Sequence, residues 1–183
     1  MRKRQEIIDL ALEIGALKYG EHTPNSEKKS KYCFDGRKIC LNPKGTSLWG
    51  TFLVPMIRDA KAKIVGGLAL ESDLLIPEIA LISQLDKEKP TIPGFVIHKK
   101  VTECGAKQII EGCELEKDLR VAMVGITNDE SLLDEISVVK KLGCEVVLVV
   151  VILDEGGGEE LRKKYNFKAL LKVTPEGVVV PTK

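Results

Sequence analysis

The spacing of apolar residues alternates between two patterns along most of the chain. Apolar positions three or four residues apart predict amphipathic helices, whereas short continuous apolar runs predict strands buried on both faces. The predicted helices cover residues 3–18, 46–61, 73–85, 129–142 and 159–165. The predicted strands cover residues 63–65, 94–98, 120–124, 145–153, 169–173 and 178–180. Because strands that alternate with helices need crossover connections, the pattern predicts an α/β fold with a parallel sheet flanked by helices.

The N-terminal quarter is less regular. We predict that the first helix ends near Gly20, a residue that readily adopts the left-handed C-cap conformation. Residues 21–45 are rich in Lys, Ser, Pro, Asn and Gly, and only 31–34 and 37–41 can form short strands. We therefore predict one domain. Its three parts are an N-terminal helix and hood at 1–45, a core at 46–155 and a C-terminal closing segment at 156–183.

Composition narrows the possible partners. The formal net charge of +1 gives no electrostatic reason to expect nucleic acid or an anionic membrane. The longest apolar run, 146–153, has the length of a strand, and the N-terminus lacks the apolar core of a signal peptide. We therefore expect a cytoplasmic protein without a membrane partner.

The cysteine pattern argues against metal binding. The five cysteines are an odd set without a C-x-x-C pair, and the chain has only two histidines. They are Cys33, Cys40, Cys104, Cys113 and Cys144. We expect reduced thiols and no metal site, with Cys144 packed at the start of a strand.

Three junctions after predicted strands are the candidate ligand-binding positions. They follow Val65, His98 and Val124. In an open parallel sheet ligands bind beyond the carboxyl ends of the strands, and the helix N-termini at that edge suit phosphate.

The residues at these positions resemble a known family. Residues 16–23 read Ala-Leu-Lys-Tyr-Gly-Glu-His-Thr, and residues 65–70 read Val-Gly-Gly-Leu-Ala-Leu. Together with 29–35, 95–100, Gly105 and 110–112, these segments resemble orotate phosphoribosyltransferases, in the same order and over nearly the whole chain. The resemblance implies a type I phosphoribosyltransferase fold with a small hood, and a homodimer. It also implies a glycosyltransferase of pyrimidine biosynthesis, which converts orotate and phosphoribosyl pyrophosphate, with magnesium, to orotidine monophosphate and pyrophosphate.

The resemblance also implies a set of site residues. The substrate-binding candidates are Lys29, Phe34, Gly66, Gly67, Gly105, Lys107, Thr127, Asp129 and Glu130. Lys99 and Lys100 are weaker catalytic candidates, because Thr102 and Cys104 replace the lysine and histidine of the family's mobile loop. We interpret Cys104 as a loop thiol, since no base and orienting group accompany it. Phe34 fits a core position better than a stacking platform.

The third junction departs most from the family pattern. The family has an acidic pair for the ribose hydroxyls and a glycine-containing loop for the 5′-phosphate, but residues 124–131 read Val-Gly-Ile-Thr-Asn-Asp-Glu-Ser. We interpret Asn128 as a helix N-cap, with Asp129 and Glu130 stabilising the helix dipole in the first turn. In the alternative reading, Asp129 and Glu130 stand in, displaced, for the missing acids.

Other junctions have changed as well. Glu71-Ser72 replaces a pair of small residues at the first junction, and Cys33 replaces an aromatic residue. Our leading hypothesis is a catalytically inactive or very weak family member that binds a small anionic metabolite or pairs with an active relative. The alternative is a functional enzyme that uses Lys99, Lys100 and Lys107 with displaced Asp129 or Glu130.

Overall fold

A computed structural model describes residues 2–22, 30–68, 72–98, 110–128, 131–156 and 158–182. The helices are α1 Arg2–Glu13, α2 Gly36–Cys40, α3 Pro43–Asp59, α4 Leu75–Leu85, α5 Ser131–Lys141 and α6 Glu159–Lys164. The strands are β1 Leu17–His22, β2 Ser30–Phe34, β3 Ile64–Leu68, β4 Gly94–Ile97, β5 Ile110–Gly112, β6 Arg120–Thr127, β7 Glu145–Asp154, β8 Phe167–Val173 and β9 Val179–Pro181.

The main sheet has seven strands in the order β5-β4-β3-β6-β7-β8-β9. Its five inner strands are parallel, and the edge strands β5 and β9 are antiparallel to their neighbours. From β3 the chain proceeds to β4 on one side, whereas from β6 it proceeds to β7 and β8 on the other. This reversal puts the switch point of the sheet between the carboxyl ends of β3 and β6, where open α/β sheets bind ligands. The predicted fold class is confirmed.

Both faces of the sheet are buried, as the continuous apolar runs predict. Along β6, Ala122 and Val124 belong to the core cluster that contains residues of α1, α3 and α4. Val121 and Met123 belong to the opposite cluster, which contains residues of α5 and α6. All four side chains are at most 1% exposed. Successive residues of one strand therefore supply two separate cores.

The prediction for the first helix was wrong at its C-terminal end. α1 ends at Glu13, and Gly15 adopts a left-handed φ of 66°. The amide of Gly15 donates to Leu12 O at 3.2 Å and that of Ala16 to Ala11 O at 2.8 Å, which is the Schellman pattern. Gly20 instead lies within β1, which pairs with β2 to form a separate two-stranded sheet.

The strand predicted at 37–41 was also wrong, because these residues form α2 and its C-cap. A strand would place Ile39 and Leu41 on the same face, but Ile39 is buried and Leu41 is 72% exposed. Buried Ile39 and Cys40 are adjacent in the sequence instead. α3 then begins at Pro43, and Asn42 caps it by accepting from the amides of residues 44 and 45.

Strands β5 and β6 also depart from the prediction. Residues 110–112 lie outside every predicted strand, and they form β5, which pairs antiparallel with β4. β6 continues to Thr127, three residues beyond the predicted end, and remains paired with β7 as far as Leu153. The junction after β6 therefore begins at Asn128.

The four cysteines within the described residues are free thiols in two environments. Cys33 and Cys113 are exposed, whereas Cys40 and Cys144 are buried. Burial raises the pKa of Cys40 to about 12, and the nearby Glu78 carboxylate adds to the shift. Burial also raises the pKa of Cys144, whose thiol donates to Glu116 O at 3.3 Å.

These environments predict selective alkylation, because the thiolate is the reactive species. Brief treatment with iodoacetamide at pH 8 should modify Cys33 and Cys113 and leave Cys40 and Cys144 unmodified, as read by peptide mass spectrometry. The same treatment in urea should modify all four, which shows that each peptide is detectable. Labelling of Cys40 in the folded protein as fast as Cys113 would contradict the buried position of α2.

In the part of the chain that the structure describes, no helix combines the length and the apolar character needed to cross a membrane.

Candidate functional site

The candidate site lies at the carboxyl ends of β3 and β6, and two glycines shape its floor. A Cβ on Gly66 would lie 2.1 Å from the Phe95 ring, and one on Gly67 would lie 2.5 Å from Val124 O. Both distances are shorter than any side chain tolerates. The glycines that the sequence singled out are therefore required for close packing between neighbouring strands.

Ser72 closes the space beside Gly67. Its side chain is 1% exposed, and its Oγ donates to Val124 O at 2.7 Å. A Cβ on Gly67 would lie 2.4 Å from the same Oγ. Ser72 thus ties the segment after β3 to β6 at the switch point. Its hydroxyl is committed within the protein, so it is not directed at a ligand.

Gly125 and Ile126 occupy the positions directly after Val124, where the family pattern has its acidic pair. Ile126 packs, partly buried, against the larger core cluster. A Cβ on Gly36 would lie 2.6 Å from Ile126 Cγ2 and 3.3 Å from the Phe34 ring. The side chains of Ile126 and Phe34 therefore both lie over Gly36. The N-terminal segment thus packs against an apolar side chain at the end of β6.

The side chain of Asn128 connects two strand ends. Its Oδ1 accepts from the amide of Glu155 at 2.9 Å, and its Nδ2 donates to Gly156 O at 2.9 Å. A Cβ on Gly158 would lie 2.7 Å from Nδ2, so the small residue leaves room for the amide. Both polar atoms of Asn128 are thus used to join the ends of β6 and β7. The predicted N-cap contacts involve the first turn of the helix, and residues 129 and 130 of that turn lie outside the described residues, so the N-cap role stays a prediction.

A tyrosine joins the hood to the same loop. Tyr32 on β2 donates its hydroxyl to Glu155 Oε1 at 2.6 Å. Burial and this hydrogen bond raise the pKa of Tyr32 well above its usual range. The sequence does not predict this contact, because 123 residues separate the two partners. With Asn128, the pair forms a polar connection between β2, β6 and β7.

At the second junction, β4 ends at Ile97. His98 follows it, and its Nε2 lies 3.1 Å from Glu111 Oε2 on β5. The histidine is thus directed toward the edge strand.

The structure places four of the predicted site residues. Gly66 and Gly67 lie in β3, and Thr127 is the last residue of β6 and pairs with Leu153. Phe34 ends β2 and packs against the core cluster, in agreement with the core interpretation. The other predicted residues lie outside the described residues. They are Lys29, Lys99, Lys100, Thr102, Cys104, Gly105, Lys107, Asp129 and Glu130.

Three polar side chains at this edge are hydrogen-bonded within the protein. The hydroxyls of Ser72 and Tyr32 and the amide of Asn128 each have a protein partner. The arrangement can hold the strand ends and the hood in fixed positions.

The fold and this switch-point site define a type I phosphoribosyltransferase. The orotate phosphoribosyltransferase of Mycobacterium tuberculosis in complex with Fe(III) dicitrate is 25% identical with a TM-score of 0.77, over 96% of this chain and 99% of that one. The adenine phosphoribosyltransferase of Leishmania donovani, with 17% identity and a TM-score of 0.62, shares the fold over 93% of this chain and 83% of its own.

Sequence relatives then identify the family. The orotate phosphoribosyltransferase of Methanocaldococcus jannaschii is 32% identical over 168 residues, which cover 90% of each chain. That of Pyrococcus abyssi is 31% identical over 174 residues, covering 90% of this chain and 89% of its own. No family model matches the chain. The chain belongs to the orotate phosphoribosyltransferase family.

Proposed function

We propose that this chain is an orotate phosphoribosyltransferase homologue with little or no transferase activity, which acts by binding a small anionic metabolite. The observation that carries the proposal is the pair Gly125-Ile126 at the end of β6. The family reaction requires anions near the ribose, and the resemblance places them at these two positions. Gly125 has no side chain, and Ile126 packs against the core.

The next residue along the junction supports the same conclusion. A loop that holds a 5′-phosphate offers it free backbone amides. Asn128 instead fixes the ends of β6 and β7 to each other through its side chain. Each lost carboxylate–hydroxyl hydrogen bond costs roughly 1.5–3 kcal/mol, so the loss of two weakens binding of phosphoribosyl pyrophosphate by several orders of magnitude.

The second candidate function is the family reaction itself, which the names of the relatives favour. It would depend on Lys99, Lys100 and Lys107 for the pyrophosphate, and on displaced Asp129 or Glu130 for the ribose.

Assembly and location are part of the proposal. As in the family pattern, we propose a cytoplasmic homodimer, or a pair with an active relative. We expect magnesium only together with bound phosphoribosyl pyrophosphate, whose diphosphate supplies oxygen ligands.

The transferase assay tests the leading proposal. The purified chain with orotate, phosphoribosyl pyrophosphate and magnesium should show no loss of orotate absorbance, because the ribose-binding acids are missing at the end of β6. The enzyme of Methanocaldococcus jannaschii, assayed alongside, verifies the substrates. Turnover near roughly one per second would contradict the proposal.

Two further measurements identify the reason for an absence of turnover or for measurable turnover. Calorimetric titration with phosphoribosyl pyrophosphate should give at best a millimolar dissociation constant, and micromolar binding would show that the junction after β6 still holds phosphate. Any turnover should be repeated with Lys99→Ala/Lys100→Ala. Activity that disappears in this variant supports the functional enzyme, whereas unchanged activity comes from a contaminant.

A further inference from the structure

A second candidate site lies at the opposite, amino-terminal edge of the sheet. A pocket of about 510 Å³ opens there, among the segments that precede β3, β4 and β6. We call it the amino-edge pocket. Its charged lining residues are Arg58, Lys61, Lys63, Lys89 and Arg120, and no carboxylate is among the lining residues that the structure describes. The carboxyl ends of the same strands carry the candidate site described above, so the two positions are separated by the length of the strands.

The two arginines are held in place by the fold. Arg120 donates to the carbonyls of Ala60 and Lys61 at 3.0 and 3.1 Å and pairs with Glu145 at 2.9 Å. Arg58 pairs with Asp86 at 2.6 Å and donates to Pro90 O at 3.2 Å. These bonds keep both guanidinium groups at the pocket, where their charge is fixed at every physiological pH.

The lysines provide the charge that is not neutralised. Lys89 lies 3.5 Å from Asp86, a carboxylate that it shares with Arg58. Among the described residues, the side chains of Lys61 and Lys63 have neither an ion pair nor a hydrogen bond. The pocket is lined by five cationic side chains, and two carboxylates, Asp86 and Glu145, pair with its arginines. The pocket therefore carries an excess of three positive charges, although the formal net charge of the whole chain is +1.

The backbone at Lys61 adds a second, independent observation. Lys61 has a left-handed φ of 56° at the end of α3. Its amide donates to Arg58 O at 2.8 Å and that of Ala62 to Ile57 O at 3.1 Å, so Lys61 takes the C′ position of a Schellman motif. Glycine is the usual residue there, and a side chain costs about 1 kcal/mol. A lysine at this position keeps a cation at the pocket despite that cost.

The uncharged lining residues of the pocket indicate what the uncharged part of the ligand is like. Ala62, Pro90 and Ile92 supply apolar surface, and Thr91 supplies a hydroxyl. A volume of about 510 Å³ suits one small molecule. A concave lining with both cations and apolar walls fits a ligand with several negative charges at one end and a planar or apolar group at the other.

We propose that the amino-edge pocket binds a nucleoside polyphosphate, with Lys61 and Lys63 contacting its phosphates and the apolar wall contacting its base. A concave pocket favours a small molecule over the extended backbone of a nucleic acid. The proposal is independent of transferase activity, since it uses none of the residues at the carboxyl edge.

Calorimetry with ATP as the probe tests the proposal on the full chain. We expect one site per chain, with affinity weakened at least about tenfold in Lys61→Gln/Lys63→Gln, because two charge-assisted contacts are lost. Gln keeps the backbone preference at position 61 nearly unchanged. The matched control is Lys140→Gln/Lys141→Gln, which removes the same charge at a different pocket, on α5. It should bind ATP like the unsubstituted chain.

Several outcomes overturn the proposal. They are the absence of ATP binding at millimolar concentration, equal weakening in both double variants, or tighter binding of a short DNA duplex than of ATP. Nuclear magnetic resonance on the unsubstituted chain locates the ligand even if a variant does not fold. Amide shifts on addition of ATP should concentrate at residues 58–63, 89–92 and 120. Shifts confined to the ends of β3 and β6 would place ATP in the phosphoribosyltransferase site and refute the amino-edge pocket.

Discussion

Replacing Gly67 by alanine is expected to lower the free energy of unfolding by about 3–5 kcal/mol, the sum of overpacking and a disturbed buried hydrogen bond. The added methyl group would lie 2.5 Å from Val124 O and 2.4 Å from Ser72 Oγ. The first of these atoms belongs to the backbone of a buried strand and cannot move without disturbing the sheet. Urea denaturation of both proteins measures the difference.

A matched glycine separates this steric effect from a conformational one. Gly156 has a φ of 90°, and a Cβ there would meet nothing within 4 Å. Gly156→Ala should therefore cost only about 1–2 kcal/mol, from the left-handed backbone alone. An equal loss in both variants would contradict the close contact at Gly67.

A double-mutant cycle with Ser72→Ala tests whether the serine causes part of the clash. Ser72→Ala alone should cost about 1–3 kcal/mol, because Val124 O loses a buried donor. In the double variant the methyl group no longer meets a hydroxyl, although Val124 O at 2.5 Å and the Cβ of residue 72 at 2.6 Å still obstruct it. The combined loss should therefore be smaller than the sum of the single losses, and strict additivity would mean that the two residues do not touch.

The central sheet could be predicted from the sequence because short apolar runs of neighbouring residues indicate its strands. Residues 121–124 and 146–151 are apolar at every position, and only strands covered on both faces need that pattern. The observed strands add residues at the ends of the predicted ones. β6 continues through Gly125, Ile126 and Thr127, since pairing with β7 carries the strand across Gly125, a residue with low strand preference.

The N-terminal segment shows where local patterns are ambiguous. Residues at helical spacing continue from α1 through Leu17, so periodicity alone does not show where the helix ends. Gly15 was the stronger stop signal, because its left-handed conformation closes the helix, whereas Gly20 lies in a strand. At 37–41 five residues are too few to distinguish a period of two from one of 3.6.

The candidate site was predictable in position but not in its contacts. The order of strands and helices placed it after Val65 and Val124, which the switch point between β3 and β6 supports. The roles of Ser72, Asn128 and Tyr32 depend on partners 27 to 123 residues away in the chain. No local pattern encodes such partners. Asn128 has the right residue type for an N-cap, and its side chain also bonds a nonlocal pair of backbone groups.

Glu78 lies in an unusual environment for a carboxylate. It is on α4, 8% exposed, and its Oε2 has no hydrogen-bond partner among the described residues. Burial raises its pKa from 4.5 to about 7, and a hydrogen bond with Thr46 opposes the shift without cancelling it. The folded protein therefore binds more protons at this residue than the unfolded chain does between these two pH values. Stability must fall as pH rises through this interval, and the whole cost is present above pH 7.

Glu78→Gln removes the titrating group and keeps its size. The variant should match the unsubstituted chain in stability near pH 4.5, where both side chains are neutral, and exceed it by about 2 kcal/mol at pH 8, where only the glutamate is charged. Urea denaturation at the two pH values measures the effect. Glu88→Gln, at an exposed position after α4, is the control and should change stability little at either pH. If Glu78→Gln showed the same pH dependence as the unsubstituted chain, Glu78 would have to be charged and solvated in the folded protein. The packing of α3 against α4 would then have to admit water at this position.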